Sequence, residues 1–500
     1  MRAGDCTVGA LDSRDMDETA PDLRAATLSG VKWTSIARLL GELATFASSI
    51  ALARLISPAE FGETVVAVFF AALGPAIAVQ GVGSWLVHAK APSARHERAA
   101  VLLCILSGLV FTALTVAFAL VVAPPLFGDR AADLLLLISP VMLLSSLVAV
   151  PMADLQRRLD FRRLAWVDLT MTASVSLVAV LLAALGLEAE ALIGGYVASA
   201  ALTALLASAY ARPPRPGWCR PELGEIAHYG TPAAGSSMLH TVTRNADYVI
   251  LAARLPAAQV GYYLRGFQLG SEYQAKISGI LLRVALPVLS RATDLDEVRR
   301  IRARIVRTHA SVLFPLLLGL IALAPLFVPL VYGPNWEPAV ELTQILAIAG
   351  LAAALGTGTG PLLLATGHPR ALLVYNLLSA VVYIAAVLIA LPMGLTAVCW
   401  AVAIVTWASF FVLQYAIVDR IVGIPLLDTL RDALPALVAG LPLLAVSWLL
   451  SGWLEPALPD WLVLVLAGMA GLAAYALCLR LLFASAWSDL TLLAGRAGLT

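Results

Sequence analysis

The chain has 500 residues, of which 60% are apolar and 13% charged, and a formal net charge of +1. A soluble domain carries roughly a quarter charged residues, so a soluble fold is excluded, and near-neutrality gives no basis for a nucleic-acid partner. The cysteines (Cys6, Cys104, Cys219, Cys399, Cys478) are scattered, with no CxxC or paired spacing, so neither a metal site nor a disulfide framework is expected, and nothing calls for a cofactor.

In chain order, residues 1–28 are polar and acidic (Asp12, Asp15, Asp17, Glu18, Asp22) and lack the apolar stretch of a signal peptide. They are read as a disordered cytoplasmic tail. An apolar run of about twenty residues crosses a bilayer. Such runs fall at 33–55, 61–88, 99–123, 132–152, 164–187, 190–211, 229–252, 262–288, 308–331, 339–366, 371–392, 394–418, 431–452 and 460–483. None shows the period-two alternation of a barrel strand, so the expectation is an all-α polytopic membrane protein with about 14 transmembrane helices. Residues 485–500 are read as a second cytoplasmic tail.

Basic residues fix an orientation. The N-terminal tail, the even-numbered connections and the C-terminal end hold 25 of the 33 Lys and Arg; the opposite side holds only Arg54, Arg130, Arg254 and Arg265. Because basic loops stay cytoplasmic, both termini are expected in the cytoplasm.

The pattern is also duplicated. Ala53-Arg54-Leu55 and Pro58-Ala59-Glu60-Phe61-Gly62 return as Ala253-Arg254-Leu255 and Pro256-Ala257-Ala258-Gln259-Val260-Gly261. Leu126-Phe127-Gly128, before the fourth span, returns as Val331-Tyr332-Gly333 before the tenth, and the Gln156–Arg163 connection corresponds to Gly367–Arg370. Six spans bring the chain back to its starting side, so the repeats are parallel. The expected organisation is an N-lobe at 29–212 (spans one to six), a C-lobe at 213–420 (spans seven to twelve) and two appended helices within 421–484.

Charges inside the spans are the site candidates, since each costs several kcal/mol unless it meets water or a partner. On span one, Arg38, Glu42, Thr45 and Ser49 share a face. Arg38 and Glu42, four apart, can pair, either as a site or as a structural bridge. On span seven, Ser236, His240, Arg244 and Asp247 form a stripe; on span eight, Arg265, Glu272, Lys276 and Arg283 fall on one line if the helix turns regularly. The three spans carry five cations and three anions. A net positive lining favours an anion, and guanidinium groups grip phosphate. Arg38, Arg244, Arg265 and Lys276 are the candidate substrate-binding residues. Glu42, His240, Asp247 and Glu272 are candidate coupling groups or charge partners, although Arg265 and Arg283 lie near span ends and could equally snorkel. The run Glu297–Arg307 (EVRRIRARIVR) is basic and amphipathic, as ordinary inner-side topology or as an attraction to anionic lipid. Gly356-Thr357-Gly358-Thr359-Gly360 lacks the Lys of a phosphate loop and reads as a bend in span ten.

These residues resemble a known family. Leu52–Gly62, the connection Leu155-Gln156-Arg157-Arg158-Leu159-Asp160-Phe161-Arg162-Arg163-Leu164, the segment Asn245-Ala246-Asp247-Tyr248 with Gly261-Tyr262-Tyr263 and Arg265, and Tyr332-Gly333-Pro334-Asn335-Trp336 are similar to the oligosaccharide flippases. That is the polysaccharide-transport branch of the superfamily that also holds multidrug extrusion antiporters and lipid II flippases. The resemblance runs from about Ser29 to Arg420. It implies a bacterial inner-membrane flippase that carries an oligosaccharide on undecaprenyl pyrophosphate to the periplasmic leaflet by alternating access, for capsule, exopolysaccharide or O-antigen. Membrane lipids and a polysaccharide polymerase or export machinery would be its partners. It implies no enzymatic step. The alternative is a proton- or sodium-coupled multidrug antiporter, for which Asp247 would be the cation site.

Overall fold

A computed structural model describes residues 40–89, 92–282, 285–292 and 294–496. Every regular element among them is helical. With no water to satisfy exposed peptide groups in hydrocarbon, helices closing their own hydrogen bonds are the answer this sequence has. Eleven helices are long and apolar enough to span a membrane: Pro58–His88, Ala94–Val121, Asp129–Arg157, Phe161–Ala184, Ala189–Tyr210, Leu295–Tyr332, Ala339–Ala365, Pro369–Met393, Leu395–Val422, Leu426–Leu454 and Asp460–Leu482. They take up spans two to six and nine to fourteen. Spans seven and eight, which carry ionisable stripes, are helical but do not meet that measure, and span one lies only partly within the described residues. Residues 40–55 are the described part of span one. Span seven is Arg220–Arg244 continued by Ala246–Ala252, and span eight is Ala257–Phe267 joined through a wide π-helical turn, Gln268–Glu272, to Tyr273–Leu281.

The described chain forms two compact units. The first contains residues up to Ile56 and Val66–Asn245; the second contains Ser57–Val65 and everything from Ala246. By compactness the helix Arg220–Arg244 therefore belongs with the first unit, whereas the sequence repeat divides the chain at 212. In the first unit, Phe161–Ala184 packs along Ala189–Tyr210, and Ala94–Val121 along Pro140–Arg157. Arg130 grips Glu190 through two bonds, at 2.6 and 2.9 Å.

In the second unit, Leu295–Tyr332 is the central post. Leu313, Phe314 and Leu317 from it meet Leu351, Phe410, Ala436, Leu443 and Leu479 in one buried cluster. The two appended spans thus pack on span nine rather than standing apart. The segment after residue 484, expected as a tail, is a helix, Ala484–Arg496. Its Asp489 is buried and accepts from Arg307 Nε at 3.1 Å. Span ten breaks between Gly356 and Thr359, within its glycine run.

Backbone geometry repeats along with the sequence, anchor by anchor. Gly128 and Gly333 both take positive φ, +87° and +106°, a region that only glycine enters cheaply. Leu159 (φ +54°) and Gly367 (φ +81°) each close a helix with the same pair of bonds. Leu159 N–H reaches Gln156 O and Asp160 N–H reaches Leu155 O; Gly367 N–H reaches Leu364 O and His368 N–H reaches Leu363 O. Both are Schellman closures. A fourth match, Gly186 (φ +92°) with Gly394 (φ +99°), joins spans five and six and spans eleven and twelve.

The first anchor is matched by contact. In the second unit, a Cβ on Gly62 would overlap the Ala257 carbonyl, and one on Gly261 would overlap the Pro58 carbonyl. Pro58 and Ala257, like Gly62 and Gly261, are equivalent positions of the repeat. The contact is therefore reciprocal, as at a two-fold axis.

Candidate functional site

In the first unit, span seven keeps its stripe over one helix: Ser236, His240 and Arg244 are all exposed. Asp247 leaves it. The helix stops at Asn245, whose φ of −119° and ψ of 10° are not helical, and whose side chain donates to Thr241 O at 2.7 Å. The helix that resumes at Ala246 carries Asp247 into the second unit, where it is 1% exposed. Its Oδ2 accepts from Tyr263 Oη at 2.7 Å and Tyr383 Oη at 2.9 Å, and its Oδ1 has no hydrogen-bond partner among the described residues.

Span eight also departs from a straight line. The π turn at Gln268–Glu272 inserts one residue into the α-helical count, rotating the rest of the span by about 100°. Gly270 permits it by lying against the backbone of Leu346 and Ala347. The expected single line from Arg265 to Arg283 is accordingly split. Arg265 is 4% exposed, whereas Lys276 is exposed and lies 5.5 Å from the Tyr273 ring centroid. Glu272 is half-buried at the turn.

Arg265 sits among rings. Its guanidinium carbon is 4.2 Å from the Phe61 centroid, 5.3 Å from Tyr332 and 5.5 Å from Trp336. Nη1 donates to Gln268 Oε1 at 2.7 Å. In this conformation it is closed to any ligand. Tyr263 and Arg265, two residues apart and so about 200° around the helix, place the Asp247 and Arg265 clusters on opposite faces.

Glu42, half-buried, lies with His240 and Arg244 in the first unit; Asp247, Arg265, Glu272 and Lys276 lie in the second. Arg38 and Arg283 lie outside the described residues. Outside the enclosed Asp247 and Arg265, each unit keeps one described candidate cation and one candidate anion: Arg244 and Glu42 in the first, Lys276 and Glu272 in the second.

The first unit also holds a polar cavity that the stripe reading missed. It measures about 360 Å³ and is lined by Gln80, Ser84, His88, Gln156 and Tyr229 among apolar residues. The His88 and Tyr229 rings stack at 5.7 Å. A second π turn, Val79–Gly83, lets Gly81 approach the Gly230 carbonyl. Arg95 to Glu222 at 3.0 Å and His96 to Glu225 at 3.2 Å pin the start of span three to span seven beside it. The signal was legible: Gln80, Ser84 and His88 are polar and spaced by four at the end of a span that is apolar from Val65 to Val79. None of the three is an acid, a lysine or an arginine, so intramembrane charge does not point to them.

Two parallel six-helix repeats with polar first helices define the class: a polytopic transporter fold. The solved structure of the lipid II flippase MurJ, in its inward closed conformation, superposes with a TM-score of 0.69 at 14% identity, covering 89% of this chain and 97% of that one. An inward-facing multidrug resistance transporter of the MATE family gives 0.57 at 15% identity over 75% of this chain and 92% of its own. These likenesses concern the fold. The family described as "Polysaccharide biosynthesis protein" matches residues 51–341, more than half of the chain, and the chain belongs to it. The lipopolysaccharide biosynthesis protein WzxC of Escherichia coli (strain K12) is 26% identical over 73% of this chain and 75% of its own length. The succinoglycan biosynthesis transport protein ExoT of Rhizobium meliloti (strain 1021) is 27% identical over 66% and 67%.

Proposed function

We propose that this protein is a flippase of the bacterial inner membrane, moving an oligosaccharide linked to undecaprenyl pyrophosphate from the cytoplasmic to the periplasmic leaflet by alternating access, with both termini cytoplasmic. The observation that carries the reading is the family membership, joined to three polar helices within an otherwise apolar bundle. Covalent chemistry is not required of it. Arg244 and Lys276, with Arg38, take the pyrophosphate. Guanidinium forks suit phosphate oxygens, and an ammonium adds a point charge. The cavity at Gln80, Ser84, His88, Gln156 and Tyr229 offers hydroxyl-binding groups and stacked rings, which suit sugar. Glu42, Glu272, His240 and Asp247 are charge partners or coupling groups. Arg265, enclosed, organises the outer end of span eight. A polysaccharide polymerase or export assembly is the downstream partner.

The antiporter alternative draws on the fold likeness alone, whereas the relatives with sequence similarity are named for polysaccharide biosynthesis. Arg244→Ala and Lys276→Ala, compared with wild type at equal protein level in a strain dependent on this gene, are expected to reduce surface polysaccharide at least tenfold. Wild-type polymer in both variants would remove the cationic site from the proposal. Altered drug sensitivity with intact polymer would favour the antiporter.

A further inference from the structure

The basic run at the start of span nine does more than set topology. Within it, Arg302 is 5% exposed and donates to Thr429 Oγ1 and Gln414 Oε1, both at 2.7 Å. Arg307 is held by Asp432 at 3.0 Å and Asp489 at 3.1 Å, and Arg299 bonds the Gly423 carbonyl. These three arginines fasten span nine to its neighbours. Arg300 and Arg304 point elsewhere. Both are exposed and, four apart, share a face. Arg304 Nε lies 3.2 Å from Asp489, which it shares with Arg307.

Between them and the end of span eight runs a groove of about 500 Å³. Leu281, Leu282, Val288, Ile301 and Ile305 form its apolar wall, Glu297 joins Arg300 and Arg304 at its rim, and His309 lines it deeper in. His309 is 4% exposed. Gln274 donates to Ser278 Oγ at 2.7 Å, and Ser278 lies 2.8 Å from His309 Nε2. Ser278 thus engages Nε2, and the other ring nitrogen is Nδ1. That atom has no hydrogen-bond partner among the described residues.

Depth locates the groove in a leaflet. Span nine ends at Tyr332, where the chain turns through Gly333 and the Pro334–Trp336 turn on one side of the membrane. At 1.5 Å per residue, His309 lies about 35 Å from Tyr332 along the helix, Arg304 about 42 Å and Arg300 about 48 Å. Measured from that end, a hydrocarbon core of about 30 Å within a bilayer of about 40–45 Å sets His309 near the far hydrocarbon boundary and the two arginines beyond it, toward the aqueous side of the headgroups. Leu316, two turns above His309 on the same face, is 48% exposed and continues the apolar track inward.

We propose that this groove is a binding site for an anionic phospholipid of the leaflet on the basic-loop side. The phosphodiester lies between Arg300 and Arg304, and one acyl chain runs past His309 along Ile305 and Leu316. Among the described residues the rim carries Arg300, Arg304 and Glu297, with Arg304 also bridged to Asp489, a weakly positive setting that suits one phosphodiester. The test is lipid retention by the purified full-length protein, measured by native mass spectrometry with phosphatidylglycerol and phosphatidylcholine. Wild type is expected to hold phosphatidylglycerol at least tenfold more tightly. Arg300→Gln with Arg304→Gln should bring that preference below threefold, and Arg300→Gln alone, which leaves the Asp489 bridge intact, should lower it partway. Ile305→Trp, which fills the groove and spares the rim, should cut occupancy by either lipid at least fivefold. Equal preference in wild type and in the well-folded Arg300→Gln variant would overturn the site. So would undecaprenyl phosphate displacing phosphatidylglycerol from wild type, since the groove would then belong to cargo.

Discussion

Arg265 shows what a single intramembrane charge can be for. Burying a lone guanidinium is costly, yet here the near neighbours are the faces of Phe61, Tyr332 and Trp336 and the amide oxygen of Gln268. Ring quadrupoles attract a cation by about 2 kcal/mol when it is desolvated. Arg265→Met keeps the volume and removes the charge. It is expected to destabilise the protein by about 2 kcal/mol in thermal unfolding in detergent, with Arg265→Lys intermediate. No loss in the Met variant would show the rings to be mere packing. From sequence alone Arg265 looked like a substrate contact because residue type and depth were legible while its surroundings were not. Phe61 comes from just over 200 residues earlier in the chain, and no local pattern announces that meeting. Asp247 was misplaced onto the stripe for a different reason: one non-helical residue, Asn245, redirects everything after it.

At the scale of elements, the helices were legible because apolar length is a strong signal, and the duplication because turn glycines and a proline leave marks in sequence. The phase of a helix was not. The stripe on span eight assumed a constant 100° per residue, and the π turn at Gln268–Glu272 breaks that assumption with residues of ordinary composition. The reciprocal contact at the first repeat anchor makes a further prediction. A methyl on Gly62 or on Gly261 meets a backbone carbonyl rather than a pliable side chain. Gly62→Ala and Gly261→Ala should each cost about 1–3 kcal/mol, as overpacking does, and by similar amounts because the positions are equivalent. Gly235→Ala, with open space around it, is the control that should leave the unfolding temperature within a degree or two. If Gly62→Ala were as harmless as the control, the close crossing would be wrong.

For the whole molecule, the two units differ from the two repeats in a way that can be tested by cutting. Residues 57–65 belong to the second unit although the chain around them belongs to the first, and Arg220–Arg244 belongs to the first although it opens the second repeat. A nick in the connection between spans six and seven would leave each fragment holding a piece that completes the other. Residues 1–216 and 217–500 expressed separately are expected to be degraded by added protease in membranes. Co-expressed, they should yield a resistant pair and restore polysaccharide. Fragments equally resistant alone would mean that each half is self-sufficient. The borrowed nine residues suggest how such a chain came by its permanence. A doubled chain built this way cannot shed either copy without cost, because each half carries residues that cluster with the other half's unit.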